Sequence, residues 1–240
     1  MTLLILGGTG EGRQIAEALA GSDAIVSLAG ATRAPAALPL PTRVGGFHGE
    51  AGFLRYLDDH GITSVLDATH PFARKITERT ARICAERAIP YLQVLRPPWT
   101  AVAGDRWTEI TREDEAADHI PQGATVFLAT GRQTLDGFAN LKGRRVICRQ
   151  IDPPAAPFPF SGGRFLVGRP PFSVTEETAL FRDLGIDWLV VKNAGGAASA
   201  TKLTAARNLG LPVLVIARPP QGDWPVVDSV PAALSWVDAL

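Results

Sequence analysis

The chain has 240 residues, with 24 basic side chains balanced by 24 acidic ones, and no apolar run near the roughly 20 residues that cross a bilayer. The balance argues against bulk nucleic-acid binding, and the length allows one large domain or two modest ones. Cys84 and Cys148 stand far apart, and the four histidines (His48, His60, His70, His119) show no metal-ligand spacing with cysteines or acids, so reduced thiols in a cytoplasmic protein and no metal site are expected.

Met1-Thr2 leads straight into an apolar run, Leu3-Leu4-Ile5-Leu6, without a charged region ahead of a signal segment. Gly7-Gly8-Thr9-Gly10-Glu11-Gly12-Arg13 follows, and then a helical pattern from Ile15 to Leu19. Strand, glycine turn and helix start together make a phosphate site, because unpaired N–H groups and the positive end of the helix dipole point out of the turn. The spacing Gly7-x-x-Gly10-x-Gly12 departs from G-x-G-x-x-G. Glu11 is the odd member, since a carboxylate repels a pyrophosphate; near a helix start it suits the dipole.

Residues 24–29 read as a second buried strand. No acid lies between Asp23 and Glu50, where an NAD-binding fold places one on the ribose hydroxyls. Thr32-Arg33 stands there instead, so NADP is favoured, with Arg33 on the 2′-phosphate and Arg13 as its competitor. A short strand at 43–45, a helix over 50–59 and a strand over 62–68 come next. Asp67-x-Thr69-His70-Pro71-Phe72 then occupies a strand's C-terminal end, where open α/β sheets keep their sites. Pro71 is placed to start a helix running through 74–87, and residues 91–95 form another strand.

The chain then repeats itself with a period of half its length. Gly61-Ile62 to Leu66 recurs in type as Gly185-Ile186 to Val190. Tyr91 to Pro98 recurs as Val213 to Pro220, and Trp107 to Ile110 as Trp224 to Val227. Two α/β halves built alike follow from this. Val126 to Arg132 is a shortened echo of the opening turn, so the second half is expected to bind something other than a pyrophosphate. From Gly131 to Arg169 it carries Arg132, Lys142, Arg144, Arg145, Arg149, Arg164 and Arg169 against Asp136 and Asp152 alone, an excess that suits an anionic substrate. Lys192-Asn193-Ala194-Gly195-Gly196 follows a strand in the place of the Thr69–Phe72 loop, and Thr201-Lys202 enters a helix. Ser173 with Glu176 reads as a capping box.

The motifs Gly7-Gly8-Thr9-x-Glu11-Gly12-Arg13, Asp67-x-Thr69-His70-Pro71-Phe72-Ala73, Gly168-Arg169-Pro170-Pro171-Phe172 and Lys192-Asn193-x-Gly195-Gly196 with Thr201-Lys202 resemble, in this order and spacing, the precorrin-6A reductase family of cobalamin biosynthesis. The resemblance covers nearly the whole chain; Ala194 departs from the small hydroxyl residue of relatives. It implies NADPH-dependent reduction of a ring double bond in precorrin-6A to give precorrin-6B, with the corrin precursor either metal-free or metal-bearing. The cofactor then carries the chemistry, and Arg and Lys receive the acetate and propionate arms of a polycarboxylate tetrapyrrole. The fold expected is two Rossmann-like α/β domains with parallel sheets and an inter-domain cleft holding the macrocycle. The division is placed at 1–120 and 121–240, within 15 residues, and terminal elements may swap between the halves.

Gly8, Thr9, Gly10, Glu11, Gly12, Arg13 and Arg33 are assigned to the cofactor, and Thr69, His70 and Phe72 flank its nicotinamide. Arg132, Arg169, Lys192, Thr201 and Lys202 are assigned to the substrate. His70, Lys202 and water are the candidate proton donors. Other enzymes of the pathway are the partners left open for substrate hand-over; no membrane or nucleic acid is expected. Two other readings stand beside this one. A short-chain-type NADP reductase or epimerase needs Tyr-x-x-x-Lys, but Tyr56 and Tyr91 are followed by His60 and Leu95. A non-enzymatic NADP-sensing module would not need the basic second half.

Overall fold

A computed structural model of the chain describes residues 2–30 and 36–240. The first run of elements is β1 (Thr2–Leu6), α1 (Gly10–Ala18), β2 (Ala24–Leu28), β3 (Thr42–Val44), α2 (Glu50–Asp59), β4 (Ile62–Asp67), α3 (Arg74–Glu86) and β5 (Tyr91–Val94). The second is β6 (Arg106–Ile110), α4 (Ala116–His119), β7 (Thr125–Leu128), β8 (Arg145–Gln150), β9 (Gly163–Val167), α5 (Val174–Asp183), β10 (Trp188–Lys192), α6 (Thr201–Leu209) and β11 (Pro212–Ile216). β12 (Val226–Val227) and α7 (Val230–Asp238) end the chain.

The strands form two six-stranded sheets, β3-β2-β1-β4-β5-β12 and β9-β8-β7-β10-β11-β6. Every ladder is parallel. The first sheet has the doubly wound order 3-2-1-4-5-6; the second, numbered along the chain, is 4-3-2-5-6-1, the same arrangement with its edge strand β6 entering first instead of last. The order reverses between β1 and β4 and between β7 and β10. This is the repeated α/β architecture that the sequence predicts.

The chain divides into two compact units, Met1–Pro97 with Pro219–Leu240, and Pro98–Arg218. They do not part once near residue 120: β6 joins the second unit, and β12 with α7 joins the first. The sixth strand of each sheet thus comes from the other half of the sequence. Both crossings fall within Arg-Pro-Pro, at Pro97-Pro98 and at Arg218-Pro219. A proline pair cannot continue a ladder or a helix, so the chain leaves its own sheet there.

β1 is covered on both faces, which is why it reads as an unbroken apolar run. Leu3 and Ile5 pack with Ile15 and Ala16 of α1 and Ala233 of α7. Leu4 and Leu6 pack with Phe53 and Leu57 of α2 and with Ile83 and Cys84 of α3. In the second unit, Phe127, Ile147, Leu189, Val191, Val213 and Val215 pack on Phe181 of α5 and on Leu203 and Ala206 of α6. Both cysteines are buried free thiols; burial raises Cys84 to about 12 and Cys148 to about 11. Among the described residues no helix is long and apolar enough to cross a membrane, and no group of three or more metal-ligating side chains gathers.

Candidate active site

The glycine turn lies at the C-terminal end of β1, beside the point where the strand order reverses. Thr9 is the N-cap of α1: its Oγ1 accepts from the Gly12 N–H at 3.1 Å and donates to the Ala68 carbonyl at 2.8 Å. One hydroxyl thereby joins the ends of β1 and β4, while the N–H groups ahead of Gly12 have no intrahelical partner. The glycines do different work. Gly8 has φ +137°, and a Cβ on Gly8 or Gly10 would meet nothing within 4 Å, so that face is open to a ligand. Gly12 is buried, and a Cβ there would lie 3.2 Å from Ala68 Cβ and 3.4 Å from Gly7 Cα. Its lack of a side chain lets α1 pack against β4 rather than admitting a pyrophosphate.

Glu11 is paired. Arg96, just beyond β5, places Nη1 2.7 Å from Glu11 Oε2, with both side chains partly buried. The carboxylate thus brings no net negative charge to the turn, and the residues present fit a dinucleotide. Arg13 is half-exposed, 3.7 Å from Glu17, and donates to the carbonyls of Ala36 and Ala37. Arg33 lies outside the described residues. On the neighbouring strand Arg43 donates to Ser27 Oγ and to the carbonyls of Gly45 and Gly46.

The loop after β4 is held from below. Asp67 is fully buried; its Oδ1 accepts from the Thr69 N–H at 2.9 Å and its Oδ2 from the Tyr91 hydroxyl at 3.0 Å. Burial, then the nearby carboxylate, raises the Tyr91 phenol, so this tyrosine is a structural donor rather than a proton-transfer group. Thr69 Oγ1 lies 3.3 Å from Thr77 Oγ1. His70 is exposed, and its Nδ1 accepts from the Phe72 N–H at 3.3 Å; the two rings stand 5.8 Å apart. Thr69, His70 and Phe72 are thus brought together, and Thr9 and Ala68 tie that loop to the glycine turn. Pro71 does not start α3: the helix begins at Arg74, with Ala73 as its N-cap, and Pro71 lies in the preceding turn.

In the second unit much of the basic run is committed to structure. Arg144 is buried and donates to the carbonyls of Ile120 and Ala117. Arg145 bonds Thr125 Oγ1. Arg149 forms a bidentate pair with buried Glu177 at 2.8 and 2.7 Å, and Arg169 lies 3.6 Å from Asp152. The charge excess of the sequence is therefore not a free anion-binding face. Arg132 is exposed and starts a 3₁₀ stretch, Arg132–Phe138. An α-helix does not follow Gly131, so the echo of the glycine turn lacks the dipole of α1.

Lys192 ends β10, and its Nζ lies 3.6 Å from Glu113; burial lowers the ammonium and Glu113 opposes the shift. Asn193 exchanges hydrogen bonds with the Trp99 backbone at 2.8 and 3.0 Å, and the Trp99 indole donates to the Gly196 carbonyl. This loop is thus a clamp on Trp99. Thr201 opens α6 and Lys202 follows it. The Lys202 Nζ donates to the Ser199 carbonyl and stands 5.5 Å from the Trp99 ring centroid. Burial, then the charge of Arg149, lowers Lys202 to about 8, with Glu177 pulling the other way. Ser173 and Glu176 form the capping box that the sequence predicts. Arg96 and Glu177 escape a reading of the sequence, because each acts through a partner 85 or 28 positions away; Asp67 is legible as the head of its motif, but its bond to Tyr91, 24 positions on, is not.

The family model described as "Precorrin-6x reductase CbiJ/CobK" matches residues 2–238. The precorrin-6A reductase of Rhodobacter capsulatus is 43% identical over 98% of this chain and 95% of its own. That of Rhodococcus erythropolis is 43% identical over 99% and 98%. A cobalt-precorrin-6A reductase from Synechocystis sp. is 28% identical over 91% of this chain and 88% of its own. A solved structure titled "CobK precorrin-6A reductase" superposes with a TM-score of 0.94 at 42% identity, covering 100% of this chain and 96% of that one.

Proposed function

Because the chain belongs to the precorrin-6x reductase family and is an oxidoreductase of cobalamin biosynthesis acting on a CH–CH group with a nicotinamide cofactor, we propose that it reduces metal-free precorrin-6A to precorrin-6B with NADPH. The observation that carries the cofactor half is the open glycine turn on α1 with its carboxylate neutralised by Arg96. The substrate half is supported by the names of the relatives at 43% identity, which specify no cobalt, against 28% for the cobalt-named relative.

When bound, the reduced nicotinamide supplies a hydride to one carbon of a ring double bond, and a proton on the neighbouring carbon completes the reduction. The chain's own contribution is placement and charge. The backbone at Gly8, Gly10 and Glu11 meets the pyrophosphate; Thr9 shapes the turn from behind, since its hydroxyl is already used on both sides. Arg33 and Arg13 serve the 2′-phosphate, in keeping with the absence of an acid after β2. Thr69, His70 and Phe72 flank the nicotinamide, with Asp67 fixing the Thr69 N–H. Arg132, Arg169, Thr201 and Lys202 meet carboxylate arms of the tetrapyrrole; Lys192 joins them only by leaving Glu113. His70 and Lys202 are the side chains able to deliver a proton, and a Lys202 ammonium near 8 is acidic enough to do so at neutral pH.

The test is the rate of nicotinamide oxidation coupled to the change in the ring chromophore, with four substrate pairs: NADPH or NADH against precorrin-6A or cobalt-precorrin-6A. NADPH with metal-free precorrin-6A is expected to exceed each other pair by about tenfold or more in kcat/KM, the size of one charge-assisted hydrogen bond. Equal rates with NADH, or with the cobalt-bearing ring, overturn the corresponding half of the proposal.

A further inference from the structure

The second unit holds a side-chain amide that the fold does not use. Gln150, the last residue of β8, is only 7% exposed, and neither Oε1 nor Nε2 has a hydrogen-bond partner. Its backbone is committed to the sheet, where the carbonyl accepts from the Gly168 N–H at 2.9 Å. Only the side chain is unsatisfied. Burying a polar group in that condition is destabilising, and a fold retains it where something else uses the group.

Gln150 lines a cavity of about 170 Å³ together with Arg149, Glu177 and Lys202. The Arg149–Glu177 pair is closed on itself, and its guanidinium lies 4.3 Å from the Phe172 ring centroid and 5.1 Å from that of Phe127. The pair therefore forms a fixed wall. Lys202 donates to the Ser199 carbonyl, and an ammonium has two further N–H groups. Arg149 and Lys202 against Glu177 leave the cavity one net positive charge. A primary amide donor and an ammonium lining one cavity match a carboxylate. The space is too small for a ring system, which takes roughly 300 Å³ or more, and is ample for a carboxymethyl or carboxyethyl arm.

We propose that this cavity is a subsite for one carboxylate arm of the substrate, in which Gln150 donates to the carboxylate beside Lys202 and so sets how the ring is seated. The proposal rests on the tetrapyrrole reading above. Gln150 is the specificity-determining residue, and Arg149 and Glu177 are positioning residues.

The experiment measures the Kd of precorrin-6A in the absence of cofactor, by quenching of tryptophan fluorescence, together with the melting temperature. It compares wild type, Gln150→Met and Gln150→Glu. Gln150→Met keeps the shape and removes the amide; it is expected to raise Kd about tenfold while the melting temperature holds or rises, because a buried unsatisfied group is lost. Gln150→Glu sets a second carboxylate against the arm and is expected to raise Kd further. Unchanged Kd in both variants overturns the subsite and leaves Gln150 as cavity lining, and so does a fall in melting temperature of Gln150→Met with Kd unchanged. Wild type that binds the ring without reducing it refutes the proposed function and spares the subsite. Wild type that reduces the ring, with all three Kd values equal, does the reverse. Wild type that fails to bind the ring refutes both.

Discussion

Glu11 and Arg96 meet at 2.7 Å, and the pair removes the one feature of the glycine turn that opposes a pyrophosphate. The contact joins the first turn of α1 to the segment after β5, two places 85 positions apart in sequence.

Arg96→Met should therefore leave Glu11 facing the phosphates with its charge uncompensated. A loss of about 1.5–3 kcal/mol raises the Kd of NADPH by about ten- to a hundredfold. Glu11→Gln in the Arg96→Met background should recover most of that loss. A titration showing wild-type affinity in Arg96→Met would remove the pair from the cofactor site.

The glycines of the turn should separate by phenotype. Gly10→Val puts its side chain into the open face and should abolish NADPH binding with an unchanged melting temperature. Gly12→Val drives a branched side chain into Ala68 and Gly7, an overpacking worth about 1–3 kcal/mol, and should lower the melting temperature. If Gly12→Val melts like wild type and only loses cofactor, its packing role is wrong.

Lys202 gives the reaction a pH limit. Its ammonium titrates near 8, lowered by burial and Arg149 and partly restored by Glu177; these two are the charged groups facing it from β8 and α5. Below that pH the ammonium is present and attracts a carboxylate; above it the neutral amine does not. The kcat/KM for the tetrapyrrole should fall as pH rises through about 8, and Lys202→Arg, which stays charged, should lose that inflection. A profile with the same inflection in Lys202→Arg assigns it to another group.

Glu177 is 1% exposed and holds Arg149 by two hydrogen bonds. Removing one partner of a buried pair costs about 3–5 kcal/mol, whereas replacing both with apolar residues is often neutral. Glu177→Leu should lower the urea midpoint strongly, and Arg149→Met with Glu177→Leu should recover it. Equal midpoints for Glu177→Leu and wild type would show that the pair is not buried in solution.

Where the sequence was sufficient, the reason is local. Leu3 to Leu6 and Leu189 to Val191 are buried and read as apolar runs; Gly10 and the Ser173–Glu176 box act within one turn of chain. What stayed hidden depends on distant partners. The repeat matches Trp107 to Ile110 with Trp224 to Val227 and leaves room for terminal elements to swap, yet cannot say that β6 and β12 are the strands that each complete the sheet of the other half of the sequence. Counting charges from Gly131 to Arg169 cannot show that Arg144 and Arg149 turn inward. The pairing of Lys192 with Glu113 is equally silent in the sequence, because the two stand 79 positions apart. A single glutamine at the end of β8 carries no signal in one sequence.

The most direct test of the central claim uses NADPH carrying deuterium at the transferable position of the nicotinamide, with metal-free precorrin-6A and the wild-type chain. Mass spectrometry of the tetrapyrrole should show a two-hydrogen reduction in which one of the added hydrogens is the label and the other comes from water. A reduced ring without the label, or oxidation of NADPH with the ring unchanged, would contradict direct hydride transfer by this protein.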